Sequence, residues 1–251
     1  MRVTILGAGT AIPQRRYSPA GLYVQVAGER LLFDAGAGTL QRLQAIGAPW
    51  AQIDRIFLTH FHIDHCLDLV SILFALRIPG LERRTPLCLY GPPGLRRLYR
   101  QLNRAFHGWL APRTFRLSFT ELRAATLRFA GYTVATQRMN HYETGAIGYR
   151  LTARGRSVAY SGDTDVCDGV VALGRGADAL ILECSLTDER KMPGHLTPTE
   201  CGQIAARAGC RHLVLTHFYP VFRGYDIRRR VRRSFRGRLT LARDLASVRV
   251  G

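Results

Sequence analysis

Three histidines and an aspartate crowd into residues 59–65, THFHIDH, which read H-x-H-x-D-H. In an extended or turning backbone His60 and His62 point the same way, and Asp64 and His65 can turn back toward a second centre. Imidazoles joined by a carboxylate are a ligand set suited to zinc, and compatible with manganese or iron. The chain has only eight histidines in 251 residues, so three within six positions beside an aspartate are not a chance cluster. A solvated histidine patch is the competing reading. It is disfavoured because further candidate ligands recur downstream: His141, Asp163 in SGDTD, and His217 in LTHF.

These residues need a frame to bring them together. Strand-length apolar runs are expected over 3–6, 22–26, 30–33, 55–58, 87–90, 132–136, 147–151, 158–160, 179–182 and 213–215. Every candidate ligand then lies just past the carboxyl end of a strand, where α/β enzymes assemble sites from distant parts of the chain. Helices are expected where Leu40, Leu43 and Ile46 run up to Gly47, where Leu95, Leu98 and Leu102 share a face, and where Ile204 and Ala208 run up to Gly209. The last has a clear start, because Thr197-Pro198-Thr199-Glu200 is a capping box with proline at the first helical position. No repeat or low-complexity linker divides the chain. The expectation is therefore one α/β domain over 1–251, with two layered sheets and helices outside.

Composition narrows the class. With 47% hydrophobic and 22% charged residues the chain can bury a core, which excludes disorder, collagen and coiled coil. No run approaches the ~20 apolar residues of a membrane span. MRVTILGAG reads as a strand entering a glycine turn rather than a signal peptide, so a cytoplasmic protein is expected. The six cysteines include no C-x-x-C pair and sit singly in apolar runs, as buried free thiols do. The net charge is +18, and Lys191 is the single lysine among 36 basic residues. Arginine forks pair with phosphate, so a polyanionic partner is favoured. Residues 211–251 alone hold 11 arginines and two acids. Their Arg-rich stretch at 223–243 reads as a solvated helix, an arm over a neighbouring subunit, or a nucleic-acid contact. The loop GAGTA lacks the third glycine of a dinucleotide site and reads instead as a backbone wall near the metals.

Taken along its length, the chain resembles the metallo-β-lactamase superfamily, and within it the ribonuclease Z-like branch. The segments that carry the resemblance are LGAGTAIP, LLFDAGAGTLQRL, THFHIDH, LYGPPGL, His141, SGDTD, GHLTPTE and LTHF. The resemblance implies an αββα sandwich of two mixed β-sheets flanked by helices, and two divalent metal ions, zinc foremost, with Mn2+ or Fe2+ compatible. One would be held by His60, His62 and His141, the other by Asp64, His65 and His217, with Asp163 bridging. A hydroxide between the metals would attack a phosphodiester in RNA or a smaller nucleotide-like molecule. His195 would serve as the catalytic proton donor, with Glu183 orienting it and Asp64 counted with the catalytic residues as well as the ligands. Asp34 would accept a hydrogen bond from a metal-bound imidazole. The branch also implies a homodimer. Of the remaining histidines, His212 reads as structural and His107 as a rim or plain surface residue.

The chain departs from ribonuclease Z in three places. Asp68 and Ala37 stand where that enzyme has a glycine and a glutamate, and only 22 positions separate His141 from Asp163, where its tRNA-gripping arm lies. Two other functions fit the same residues: hydrolysis of a lactone, thioester or sulfate ester, and RNA binding without catalysis.

Overall fold

The computed structural model describes residues 1–81 and 83–250. The chain first lays down β1 (Arg2–Gly7), β2 (Gly21–Val26), β3 (Glu29–Phe33), α1 (Thr39–Ala45), β4 (Arg55–Phe57), α2 (Ile63–Cys66), α3 (Asp68–Ala75), β5 (Leu87–Gly91), α4 (Leu95–Ala105) and β6 (Leu117–Glu121). It continues with β7 (Thr126–Phe129), β8 (Tyr132–Arg138), β9 (Ile147–Ala153), β10 (Arg156–Tyr160), α5 (Asp168–Gly174), β11 (Ala179–Glu183), α6 (Pro198–Ala208), β12 (His212–Thr216), α7 (Ile227–Val231), β13 (Arg238–Leu241) and β14 (Ser247–Arg249).

The strands form two seven-stranded sheets, ordered β14-β1-β2-β3-β4-β5-β6 and β7-β8-β9-β10-β11-β12-β13. Both sheets follow one rule of pairing. The first four strands are antiparallel to their neighbours, and the last three are added in parallel. The switch falls at β3 in one sheet and β10 in the other. The loops that leave these two strands carry Asp34 and Asp163, so corresponding places in the two halves each deliver a buried aspartate.

Alternation along the strands explains the layering. Phe33, Phe57, Ile181 and Val214 point into the core between the sheets. Leu32, Ile56 and Leu58 point outward onto Leu43, Leu69 and Ile72 of α1 and α3. Leu180, Leu182, Leu213 and Leu215 face Val170, Leu173 and Ile204 of α5 and α6. Strands buried on both faces read as continuous apolar runs, and covering each such side chain contributes about 1.5–3 kcal/mol. The result is an αββα sandwich of two mixed sheets.

All ten expected strands are present. Four more, β6, β7, β13 and β14, were not foreseen. They are short, lie at sheet edges, and mix exposed polar residues with few apolar ones. The Arg-rich stretch is not a free arm. It folds into α7 and β13, and β13 pairs in parallel with β12. Arg230 pairs with Glu189 at 2.7 Å. The capping box at Thr197 closes as expected, with the Thr197 N–H donating to Glu200 Oε2 at 2.9 Å.

Candidate metal centre

The carboxyl ends of β3, β4, β8, β10 and β12 converge at the seam between the sheets. There the structure brings together His60, His62, His141 and Asp163 as one group and Asp64, His65 and His217 as another. Two glycines make the approach possible. A Cβ on Gly36 would lie 2.1 Å from the Asp64 carbonyl oxygen, and one on Gly162 would lie 2.6 Å from the Thr59 Cβ. Those contacts give a physical reason for the glycines in FDAGAGT and SGDTD.

Asp34 is fully buried in the left-handed region, at φ 56°. It accepts from the Thr59 N–H at 2.8 Å, the Thr59 hydroxyl at 2.9 Å, the Tyr160 hydroxyl at 2.8 Å and His65 Nδ1 at 2.8 Å. His217, at φ 62°, is the other backbone outlier in the centre. Its Nδ1 lies 3.0 Å from Ser185 Oγ, and the Ser185 hydroxyl donates in turn to Glu183. His141 Nδ1 donates to the Gly194 carbonyl at 2.7 Å. With Nδ1 of these rings committed, their Nε2 lone pairs are left facing inward.

The inward-facing atoms are crowded and unsatisfied. His65 Nε2 and His217 Nε2 meet at 3.2 Å, where only a proton or a metal cation can sit between two lone pairs. His141 Nε2 lies 3.1 Å from His62 Nδ1, and His217 Nε2 lies 3.4 Å from Asp64 Oδ2. Asp163 reaches both groups, with Oδ1 3.3 Å from His65 and Oδ2 3.8 Å from His141. His60 Nε2 and Asp163 Oδ1 are buried with no hydrogen-bond partner. Each such orphan costs about 1–3 kcal/mol, more when charged. Divalent cations would satisfy all of these atoms at once, so the donor set fits metal.

Electrostatics agree. Burial disfavours charge on His65, but Asp163 and Asp34 outweigh it and hold its pKa well above the ordinary histidine value. Burial also opposes ionisation of Asp163, yet His217 and His65 hold its carboxyl well below the usual range. Burial pushes Asp64 up, and the His217 contact with the His65 charge brings it down to about 2. Burial drives His60 well below its ordinary value, so that it stays a neutral ligand. The cluster holds ionised carboxylates and draws positive charge into a buried space.

His195 and Glu183 stand beside the centre. Glu183, at the end of β11, accepts from His195 Nδ1 at 3.1 Å, the Thr164 N–H at 2.7 Å and the Leu196 N–H at 3.1 Å. Burial lowers the His195 pKa, but the Glu183 carboxylate raises it to about 8. His195 also comes close enough to Asp163 and His217 to share a cation with them, although its Nδ1 is already committed to Glu183.

Several contributors escaped the sequence reading. Thr59, Tyr160 and Ser185 act only through contacts that no local pattern announces. Lys191 is another: its ammonium donates to Asp165 Oδ1 at 2.6 Å, Glu200 Oε2 at 2.8 Å and the His195 carbonyl at 2.5 Å. Asp165 also accepts from the Gly194 N–H at 2.9 Å, so this clamp reaches the carbonyl that orients His141. His212 is structural, with Nε2 2.9 Å from Thr240 Oγ1, and His107 lies on the surface beside Phe106 and Trp109.

Residues 29–218 match the model of the beta-lactamase superfamily domain. The chain belongs to the β-lactamase superfamily, in its ribonuclease Z-like branch. It is 31% identical to a ribonuclease Z of Brevibacillus brevis, across 90% of this chain and 87% of that protein. An uncharacterized protein of Mycobacterium tuberculosis is 33% identical across 88% of this chain and 81% of its own length. The crystal structure of the short form of human tRNase Z superposes with a TM-score of 0.82 at 27% identity, covering 100% of both chains. Alignment with the Brevibacillus protein spans 281 positions, more than the 251 residues of this chain, so that relative carries insertions absent here. The mycobacterial alignment spans 225 positions.

Proposed function

We propose that this metal-dependent hydrolase is a dinuclear phosphodiesterase acting on RNA or a smaller nucleotide-like phosphodiester. His60, His62 and His141 would hold one ion, Asp64, His65 and His217 the other, and Asp163 both. Zinc is favoured by five imidazoles with carboxylates. When bound, the ions supply Lewis acidity that brings a water toward ionisation and offsets charge on the phosphate oxygens. The chain's own residues do the rest. Asp34 and Ser185 fix the tautomers of His65 and His217. Glu183 holds His195 through Nδ1, leaving Nε2 to carry the proton for the leaving oxygen, and a pKa of about 8 keeps that proton in place at neutral pH.

The observation that carries this reading is the pair of orphaned buried atoms, His60 Nε2 and Asp163 Oδ1, at the meeting point of the two groups. RNA is supported by the ribonuclease Z relatives and by the net charge of +18. The usual grip on tRNA is not supported, since β9, β10 and their turn fill the interval between His141 and Asp163. The six free thiols favour a reducing compartment, hence the cytoplasm. Among the described residues no helix is long and apolar enough to cross a membrane. A homodimer is proposed through the exposed apolar side chains Ile63, Leu67, Phe74, Phe106 and Trp109, with sedimentation velocity as its test.

The test of function is turnover by zinc- or manganese-loaded protein of bis(p-nitrophenyl) phosphate and of an RNA panel, beside lactone, thioester and sulfate-ester panels. Phosphodiester cleavage that disappears in His62→Ala and Asp163→Ala is expected. Cleavage of esters alone, or RNA binding without cleavage, would contradict the reading.

A further inference from the structure

Beside the metal centre lies a cavity of about 320 Å³, lined by Gln14, Tyr17, Phe218, Tyr219, Phe222 and Arg223 among others. Two loops form most of it, with Ile227 of α7 and Leu241 of β13 behind them, and both loops touch the centre. The loop after β1 sends the Ala11 N–H to Asp64 Oδ2 at 3.0 Å. The loop after β12 begins with His217 itself. They are stitched together by the Phe218 N–H donating to the Ala8 carbonyl at 2.9 Å and Gln14 Nε2 donating to the Phe218 carbonyl at 2.6 Å. The cavity is therefore held open by the same segments that hold Asp64 and His217.

Its walls are aromatic. Tyr17 and Phe218 have ring centroids 5.7 Å apart, and Phe218 and Phe222 5.8 Å. Tyr219 forms the partition with the centre, its ring edge-on to His217 at 6.0 Å and to His195 at 5.9 Å. Phe218 is buried, whereas Tyr17, Tyr219 and Phe222 are half-buried and Arg223 is exposed. Aromatic faces with a guanidinium and an amide, one side chain away from a phosphodiester site, match the chemistry of a nucleobase, which offers a π face for stacking and a polar edge for hydrogen bonds. The volume suits a small ligand group.

We propose that this cavity is a nucleobase subsite, in which Tyr17 and Phe222 stack on the base of the nucleotide whose phosphate lies at the metal centre. The proposal rests on the phosphodiesterase reading for the phosphate, and it adds to that reading the place and the side chains that would hold the base adjoining the scissile bond. Stacking tolerates any base, so the site distinguishes nucleotides from other phosphodiesters more than one base from another.

The test is calorimetric titration of the metal-loaded chain with adenosine monophosphate, uridine monophosphate and ribose phosphate. Both nucleotides should bind about 5- to 100-fold more tightly than ribose phosphate. In Tyr17→Leu and Phe222→Leu, which keep bulk and lose the π face, that preference should shrink toward parity while ribose phosphate affinity stays as in the parent chain, showing the centre intact. Equal affinities in the parent chain, or an unchanged preference in both variants, would overturn the subsite. A base preference in a chain that cleaves no phosphodiester would uphold the subsite and refute the phosphodiesterase reading, so the two claims fail separately.

Discussion

Asp34 and Glu183 do related work in opposite halves of the molecule, each holding the Nδ1 of an imidazole, His65 within the centre and His195 beside it. Asp34→Asn tests this at a single atom pair. The amide cannot accept from His65, Tyr160 and Thr59 together, so His65 loses its fixed tautomer. Metal affinity, read by competition with a chelator, should fall about 10- to 100-fold; an unchanged affinity would show that the tautomer is set elsewhere. Lys191 makes a different point. Every other basic residue is arginine, and the one lysine sits where two carboxylates and a carbonyl converge on a single nitrogen. A compact ammonium can aim three donors at such a point, and a planar guanidinium cannot. Lys191→Arg should therefore lose about 1–3 kcal/mol in urea denaturation, close to the loss in Lys191→Met. Recovery of stability by arginine would mean that charge alone matters.

Among the elements, what could be read from the sequence depended on burial. β4, β11 and β12 were legible because both faces are covered, which leaves uninterrupted runs such as LVLT. β6 and β7 were not, because each edge strand shows a polar, half-exposed surface. α3, with sequence DLVSILFA, has almost no polar face, so helical periodicity has nothing to mark. Of the centre, His60, His62, Asp64 and His65 could be read because their motif is local, and His141, Asp163 and His217 because each follows an expected strand in a segment that carries the family resemblance, while Ser185 and Thr59 could not, since their roles arise from contacts between distant segments. β12 also carries a pH dependence. Burial and Arg238 depress His212 to about 4, below its value of about 6.5 in the unfolded chain. The unfolded state then binds the extra proton, so this residue's contribution to stability is whole above about 6.5 and is lost as pH falls toward 4. His212→Asn, which can keep the bond to Thr240, should flatten the loss across that window in denaturation midpoints. A parallel decline in both proteins would assign it to other groups.

At the scale of the whole molecule, two sheets with one pairing rule meet along a seam, and each contributes an aspartate from its switch strand. Neither half could build the centre alone: His60, His62, Asp64 and His65 follow the first sheet's β4, while His141, Asp163 and His217 follow strands of the second. The passage from His141 to Asp163 is short, holding only β9, β10 and their turn, and the chain as a whole carries a net charge of +18. All of this depends on the seam holding two cations. The direct measurement is elemental analysis of the chain after loading with zinc or manganese and removal of unbound metal, in the parent and in Asp163→Ala. Two ions per parent chain, and fewer in the variant, are predicted. One ion or none in the parent, or the same two in the variant, would contradict a shared bimetallic centre bridged by Asp163.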